Sequence, residues 1–263
     1  MGKILILPDV HGRQFWKDAC LNHKDEFEKI VFLGDYVSPY PYEEISNKKA
    51  IDVFEEVLKF KKENPDKVVL LMGNHDFSYI NSNICECRTD HVNWSKLNGL
   101  FTDNMKTFDL AWETKVGDKR FFFSHSGVRK GWFDKWIKDK LFKWDGDELP
   151  PADYFNNLLH AAYDDGRNFD MKSTHDFEYA IGVYSLFRGW DGWDNGSIVW
   201  ADIREYARGM DEGNLKSDYD GVVFICGHTQ LENQPIITEW VMDLDCRKPF
   251  VLDTETGVVE EYK

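Results

Sequence analysis

Short runs of aliphatic residues, each followed at once by polar side chains, recur along the chain. Three of them, at Ile4 to Leu7, Ile30 to Leu33 and Val68 to Met72, have the length of a buried strand and are too short for a helix. The segments between them alternate with the strands in the manner of βαβ units, which predicts a parallel sheet with right-handed crossovers. Because the carboxyl ends of parallel strands meet at one edge, we expect the polar residues that follow them to lie together.

The spacing of apolar residues also predicts a helix between the second and third strands. Ser46 is its expected N-cap, and Ile51, Phe54 and Leu58 recur on one face. Asn64-Pro65 is expected to end the helix, since the residue before a proline is disfavoured in helical conformation.

The second half of the chain predicts further strands and an insertion. Residues 111–124 read as a hairpin that turns at Gly117-Asp118, and Val222 to Ile225 read as another buried strand. We expect the strands over 236–244 and 250–261 to close a second sheet. Residues 129–187 carry aromatic residues at near-helical spacing, and we interpret them as a helical cap inserted into a single domain that spans residues 1–263.

Composition narrows the class of protein. The formal net charge of −15 disfavours a surface that tracks a nucleic-acid backbone, so bulk nucleic acid is not an expected partner. Five cysteines, an odd number without structural zinc spacing, favour a reduced, cytoplasmic chain. The apolar run at the amino terminus has only four residues, which indicates neither a signal peptide nor a membrane span, and no membrane partner is expected.

The polar residues at the strand ends share one chemistry, that of nitrogen and oxygen ligands to metals. They are Asp9, His11, Asp35, Asn74, His75, His125 and His228. This is too many for one tetrahedral site, and it suits two adjacent metals bridged by a carboxylate. Mixed nitrogen and oxygen ligands without thiolate favour Mn, Fe or Zn over calcium and argue against a structural zinc site.

Five short motifs in order, P-D-V-H-G, G-D-Y-V, G-N-H-D, S-H-S-G and G-H-T, resemble the calcineurin-like metallophosphoesterase superfamily. Within it they resemble the bacterial and phage branch of phosphoprotein phosphatases and diadenosine tetraphosphatases. The resemblance spans residues 9 to 228 and implies an α/β fold, a four-layer α/β/β/α sandwich of two mixed sheets. It also implies a metal-dependent phosphatase.

The resemblance further implies a role for each motif residue. Asp9, His11 and Asp35 would hold the first of two divalent metals, most simply manganese, with iron or zinc as alternatives. The second would be held by Asp35, as the bridging ligand, and by Asn74, His125 and His228. A metal-activated hydroxide would attack phosphorus while His75, as general acid, protonates the leaving alcohol.

One motif departs from the family pattern. The phosphoprotein phosphatases continue G-D-Y-V with Asp-Arg-Gly, in which the aspartate orients the catalytic histidine and the arginine binds phosphate, whereas this chain has Ser38-Pro39-Tyr40. Arg188 and Arg204 are therefore candidate substrate-binding residues, because a guanidinium can contact phosphate through two parallel hydrogen bonds. The residue that orients His75 is left open, with Asp76 as one candidate.

Three functional hypotheses follow. The first is a phosphatase acting on a phosphoprotein, a dinucleoside polyphosphate or a small phosphomonoester, with the aromatic cap mildly favouring a nucleotide. The second is a phosphodiesterase or nuclease on the same scaffold, which the acidic composition and the lack of a second histidine after Gly227-His228 disfavour. The third is a catalytically idle protein-binding scaffold, which the complete ligand set argues against.

Overall fold

The computed structural model describes residues 2–81, 87–138, 143–163, 177, 180–181, 196–206 and 215–263. Their strands form two mixed sheets. In chain order the strands are β1 (Lys3–Leu7), β2 (Lys29–Phe32), β3 (Val68–Leu71), β4 (Phe108–Asp109), β5 (Ala111–Val116), β6 (Lys119–Ser124), β7 (Val222–Cys226), β8 (Ile236–Ile237), β9 (Val241–Asp243), β10 (Phe250–Asp253) and β11 (Val259–Glu261). The helices are α1 (Lys17–Asn22), α2 (Asn47–Glu63), α3 (Asn74–Phe77), α4 (Trp94–Asp103), α5 (Lys130–Trp136) and α6 (Ala152–Tyr163).

The first sheet contains the predicted parallel strands. Its order is β11-β10-β1-β2-β3-β4, and β1 to β4 run parallel to one another. The crossover between β2 and β3 is α2, in which Ser46 accepts a hydrogen bond from the Lys49 amide and caps the first turn, as predicted. The helix ends at Glu63, immediately before Asn64-Pro65.

The second sheet has the order β5-β6-β7-β9-β8 and packs against the first through an apolar layer. Alternate residues of β1 separate onto its two faces: Ile4 and Ile6 lie in the layer between the sheets, whereas Leu5 and Leu7 lie in the core with the helices. The alternation places a sheet between two apolar layers, and the predicted α/β sandwich of two mixed sheets is confirmed.

The expectation for the C-terminal strands was half wrong. Strands β8 and β9 belong to the second sheet, but β10 pairs antiparallel with β1 of the first sheet, and β11 pairs with β10. The apolar positions of β10 indicate a buried strand without specifying its partner, which is chosen by long-range packing. The hairpin over β5 and β6 formed as predicted, with Gly117 at the turn.

The structure describes only part of the predicted cap. Helix α5 follows the second-sheet strand β6, and α6 packs against β5, where the Asn156 side chain bonds the Leu110 and Ala111 amides at 2.9 and 3.0 Å. Residues 139–142 and most of 164–195 lie outside the described residues, so the cap at about 129–187 and the single-domain assignment stay predictions. No helix within the described ranges is long and apolar enough to cross a membrane.

Candidate metal and catalytic site

Five strands from both sheets deliver their following residues to one place. Strands β1, β2 and β3 end there from the first sheet, and β6 and β7 from the second. The six predicted ligands are all buried, and the structure brings them together; they are Asp9, His11, Asp35, Asn74, His125 and His228.

The chain makes sharp, left-handed turns at three of these residues. The φ angle is 43° at His11, 52° at Asp35 and 71° at His228. Such angles cost a residue with a side chain about 1–3 kcal/mol and concentrate at functional sites, where the surrounding fold enforces them. Three of the six ligand candidates therefore lie at left-handed turns.

Two glycines allow the ends of β2 and β3 to meet. A Cβ on Gly34, whose φ angle is 110°, would overlap the Gly73 backbone, and a Cβ on Gly73 would overlap the Asp35 carboxylate. The glycines of the G-D-Y-V and G-N-H-D motifs therefore permit a backbone approach that places Asp35 beside Asn74.

Asp35 lies between the two predicted ligand groups. Its Oδ2 atom is 3.4 Å from His11 Nε2 and 3.6 Å from His125 Nε2, while its Oδ1 atom accepts a hydrogen bond from the His75 amide at 2.9 Å. Asp9 completes the first group, with its Oδ2 atom 3.9 Å from His11 Nε2. One carboxylate oxygen thus faces a histidine of each group.

The second group converges on the Asn74 side chain. Asn74 Oδ1 lies 2.9 Å from His228 Nδ1 and 3.0 Å from His125 Nε2, and these two nitrogens are 3.2 Å apart. An amide oxygen and two imidazole nitrogens at such distances form a compact set of donors of the kind that Mn, Fe and Zn accept.

Backbone carbonyls fix which nitrogen of two histidines faces the site. His11 Nδ1 donates to the Val37 carbonyl at 2.7 Å, and His125 Nδ1 donates to the Leu33 carbonyl at 2.8 Å. This leaves Nε2 of each ring directed at the carboxylates, which is how ligand histidines are oriented by their neighbours.

The electrostatics of the cluster favour a bound cation. Burial and the nearby Asp35 carboxylate raise the pKa of Asp9 to about 6, against the positive influence of His125. Burial also raises the pKa of Asp35. Two buried carboxylates need positive charge beside them, and Asp9, Asp35 and His125 place ligand atoms within 4.8 Å of one another. These residues therefore fit a divalent metal ion.

Asp76 holds the backbone beneath the site. It is fully buried, and its carboxylate oxygens accept hydrogen bonds from the amides of Gly73 at 2.8 Å, Asp35 at 2.9 Å and Tyr36 at 3.1 Å. These three donors join the ends of β2 and β3. Asp76 is the candidate to orient the His75 ring. Both of its carboxylate oxygens, however, accept hydrogen bonds from backbone amides.

Arg88 was not among the predicted site residues, yet it contacts two of them. Its Nη2 atom lies 3.0 Å from His75 Nε2 and 3.3 Å from His11 Nε2, and its guanidinium carbon lies 3.8 Å from the centre of the Tyr40 ring. Its position in an irregular segment, 13 residues after His75, gave no periodic signal. A basic residue close after the G-N-H-D motif was the available hint.

Arg204 is the one of the two predicted substrate-binding arginines that the structure describes. Arg204 pairs with the buried Asp202 carboxylate through Nε at 2.7 Å and Nη2 at 2.5 Å, and its side chain is 56% exposed. Its role in substrate binding stays a prediction. Arg188 lies outside the described residues.

The family comparison agrees with this geometry. The family model for calcineurin-like phosphoesterases matches residues 2–243. The chain belongs to the calcineurin-like phosphoesterase family. The predicted superfamily is confirmed, and this calcineurin-like protein is a metallophosphoesterase, a hydrolase of phosphoric esters.

Solved structures similar to this calcineurin-like phosphoesterase have low sequence identity to it. One is a protein serine/threonine phosphatase from Saccharomyces cerevisiae, described as similar to human phosphatase PP5. It is 14% identical with a TM-score of 0.46, and the match covers 100% of this chain and 80% of that one. Another is an archaeal phosphodiesterase, 14% identical with a TM-score of 0.36, over 99% and 98% of the two chains. Comparison with curated proteins gives no match.

Proposed function

We propose that this metallophosphoesterase is a dinuclear phosphatase that hydrolyses a phosphate ester or anhydride. The observation that carries the proposal is Asp35 Oδ2, which faces His11 in one group and His125 in the other. The first cation would be held by Asp9, His11 and Asp35. The second would be held by Asp35, Asn74, His125 and His228. Such a pair lowers the pKa of water and neutralises negative charge on phosphoryl oxygens.

We assign His75 as the proton donor to the leaving group. The Asp35 carboxylate accepts from its amide, and this contact holds the His75 backbone next to the ligand cluster. The His75 ring packs edge-on against His11 with centroids 5.3 Å apart. An imidazole at this position can deliver a proton near neutral pH without being a metal ligand itself.

The proposed metal rests on the type of ligand atom, and the proposed location rests on the cysteines. Manganese is the proposed metal, with iron or zinc as alternatives, because the donors are nitrogen and oxygen. The proposed substrates are a small phosphomonoester, a dinucleoside polyphosphate or a phosphoprotein. A cytoplasmic location is supported by Cys20, Cys87, Cys226 and Cys246, which are free thiols.

Metal content and hydrolysis test the proposal together. The protein is stripped with a chelator, reconstituted with manganese and assayed for bound metal and for hydrolysis of p-nitrophenyl phosphate. We expect two metals per chain and metal-dependent hydrolysis. Far less metal with intact ester would instead support the idle scaffold.

A substrate panel then separates the phosphatase from the diesterase. It compares a monoester, a diester, a dinucleoside tetraphosphate and a phosphopeptide under the same manganese conditions. A diester hydrolysed far faster than the other three would replace the proposed phosphatase with a phosphodiesterase.

A further inference from the structure

Arg88 differs from the other arginines that the structure describes. Each of those forms an ion pair with a carboxylate; the arginines are Arg13, Arg120, Arg129, Arg204 and Arg247. The hydrogen bonds of Arg88 go to neutral groups: Nε donates to the Ser38 carbonyl at 3.0 Å, and Nη2 contacts His75 and His11. Within the described ranges, no carboxylate lies in ion-pair distance of this half-buried guanidinium. Its charge is available for an anion.

We propose that Arg88 binds the phosphoryl group of the substrate. The inference rests on the proposed function, in which His11 would hold one cation and His75 would protonate the leaving group, so the phosphoryl group would lie beside both residues. A guanidinium presents a rigid fork of N–H donors that matches two phosphoryl oxygens, and hydrogen bonds between two charged groups are stronger than neutral ones.

The segment that carries Arg88 is tied to the loop that contains Ser38 and Tyr40. The Tyr79 hydroxyl accepts from the Asp90 amide at 2.8 Å and contacts the Ser38 hydroxyl at 2.9 Å. On the same side, the Tyr40 ring stacks under the guanidinium. A cation on an aromatic face does not use its edge N–H donors there, and in Arg88 the Nη2 donor is directed at the cluster.

The present acceptors of Arg88 are the atoms that the proposed chemistry needs. Arginine only donates hydrogen bonds, so Nη2 requires a lone pair on His11 Nε2 or His75 Nε2. A cation held by His11 would use the first of these lone pairs and would remove one of the two acceptors of Nη2 at the cluster. A phosphoryl oxygen at the cluster would then supply the acceptor that Nη2 of Arg88 needs.

The test measures phosphate binding as well as turnover. Inorganic phosphate is titrated calorimetrically into wild type, Arg88→Ala and Arg88→Gln, each with manganese and each after chelation. We expect both variants to retain the wild-type metal content, to bind phosphate about tenfold or more weakly, and to show a similar rise in KM for p-nitrophenyl phosphate. Arg120→Ala, which removes an arginine paired with Glu113 at the far end of β6, should leave phosphate binding unchanged.

A merely structural Arg88 gives a different result. A structural role predicts that free guanidinium, below denaturing concentration, leaves Arg88→Ala unrescued, whereas a phosphate-binding role predicts partial recovery of KM and of phosphate affinity. Wild-type phosphate affinity in either folded variant would overturn the inference. If Arg88→Ala does not fold, Arg88→Gln decides the same question. Failure of the proposed function shows separately, as a wild-type protein that holds no metal and cleaves no ester.

Discussion

The candidate site has two parts that are built differently. We call the six buried ligand candidates the floor of the site, and we call His75 and Arg88 its rim. The floor residues each follow a strand or open the next helix, and backbone groups fix their rings and carboxylates. Of the rim residues, Arg88 comes from a separate segment and reaches the cluster through its side chain, which contacts His75 and His11. The fold therefore dictates the floor, whereas the rim depends on pairings that can be changed singly.

The largest expected effect comes from breaking the floor at its shared residue. Asp35→Asn leaves an amide between His11 and His125 and removes the negative charge that both groups share. We expect loss of bound metal together with a fall in kcat/KM on the order of 1,000-fold, or about 4 kcal/mol. Elemental analysis and steady-state kinetics measure both, with Asp103→Asn on the exposed end of α4 as control. Full metal content in Asp35→Asn would separate Asp35 from the metal site.

A substitution at His75 should lower turnover without lowering the metal content. His75→Ala removes the proposed proton donor and leaves the six floor residues in place. We expect wild-type metal content and a loss of kcat of about 100-fold for alkyl phosphates, because general acid catalysis contributes about 10²–10⁴-fold. The loss should be smaller for p-nitrophenyl phosphate, whose leaving group needs little protonation. An equal loss for both esters would remove the general-acid assignment.

The support beneath the floor can be weakened without touching a ligand. Asp76→Asn places an amide group against three backbone donors, so at least one donor loses its acceptor in a buried place. We expect the free energy of unfolding of the metal-free protein to fall by about 2 kcal/mol, measured by urea denaturation. The manganese affinity should fall by about tenfold. A variant as stable as Asp103→Asn would show that these three bonds do not hold the loops.

The smallest expected effect comes from the ion pairs of Glu43, beside the floor residue Asp9. Arg13 donates to the Asp9 carbonyl at 3.0 Å and pairs with Glu43, which also pairs with Arg247. Burial opposes it, but Arg13 and Arg247 together hold the pKa of Glu43 below its ordinary value of 4.5. Glu43→Gln should lower the free energy of unfolding by about 1 kcal/mol near neutral pH.

The pH dependence of that difference checks its origin. A carboxyl group with a lowered pKa in the folded state stabilises the protein above its unfolded pKa and loses that contribution as the pH falls through the folded pKa. The stability difference between wild type and Glu43→Gln should therefore be constant from about pH 5 upward and should shrink below about pH 4. A difference that persists at acid pH would assign the effect to packing.

The floor could be predicted from the sequence because its residues are tied to the strongest local signal. Asp35 and Asn74 each come directly after a glycine that ends a short aliphatic run, Asp9 follows such a run after one proline, and parallel strands bring such positions to one edge. The burial of these residues agrees with that placement, whereas the bridging role of Asp35 is implied by the family resemblance and stays a prediction. The helix α2 could also be predicted from the sequence, since its N-cap residue and its apolar face are set by residues close together in the chain.

The rest depends on contacts between distant segments. Arg88 reaches the site because Asp90 and Tyr79 tie its segment to Ser38, and nothing in the composition of residues 77–93 indicates that path. Similarly, β10 shows a buried pattern that fits either sheet, and its antiparallel register with β1 is decided by the assembled core. Sequence patterns predict burial and element type more readily than the partner of an element.

The left-handed turns at His11, Asp35 and His228 also restrict how this site can evolve. Among residues with side chains, asparagine, aspartate and histidine adopt such backbone angles most readily. These same three types supply oxygen and nitrogen ligands to metals. A branched aliphatic replacement would strain the turn and remove the oxygen or nitrogen atom in one step, whereas an exchange within the set would keep the turn and change which polar atom is offered. The backbone at His11, Asp35 and His228 therefore restricts which side chains these positions accept, apart from any demand of the chemistry.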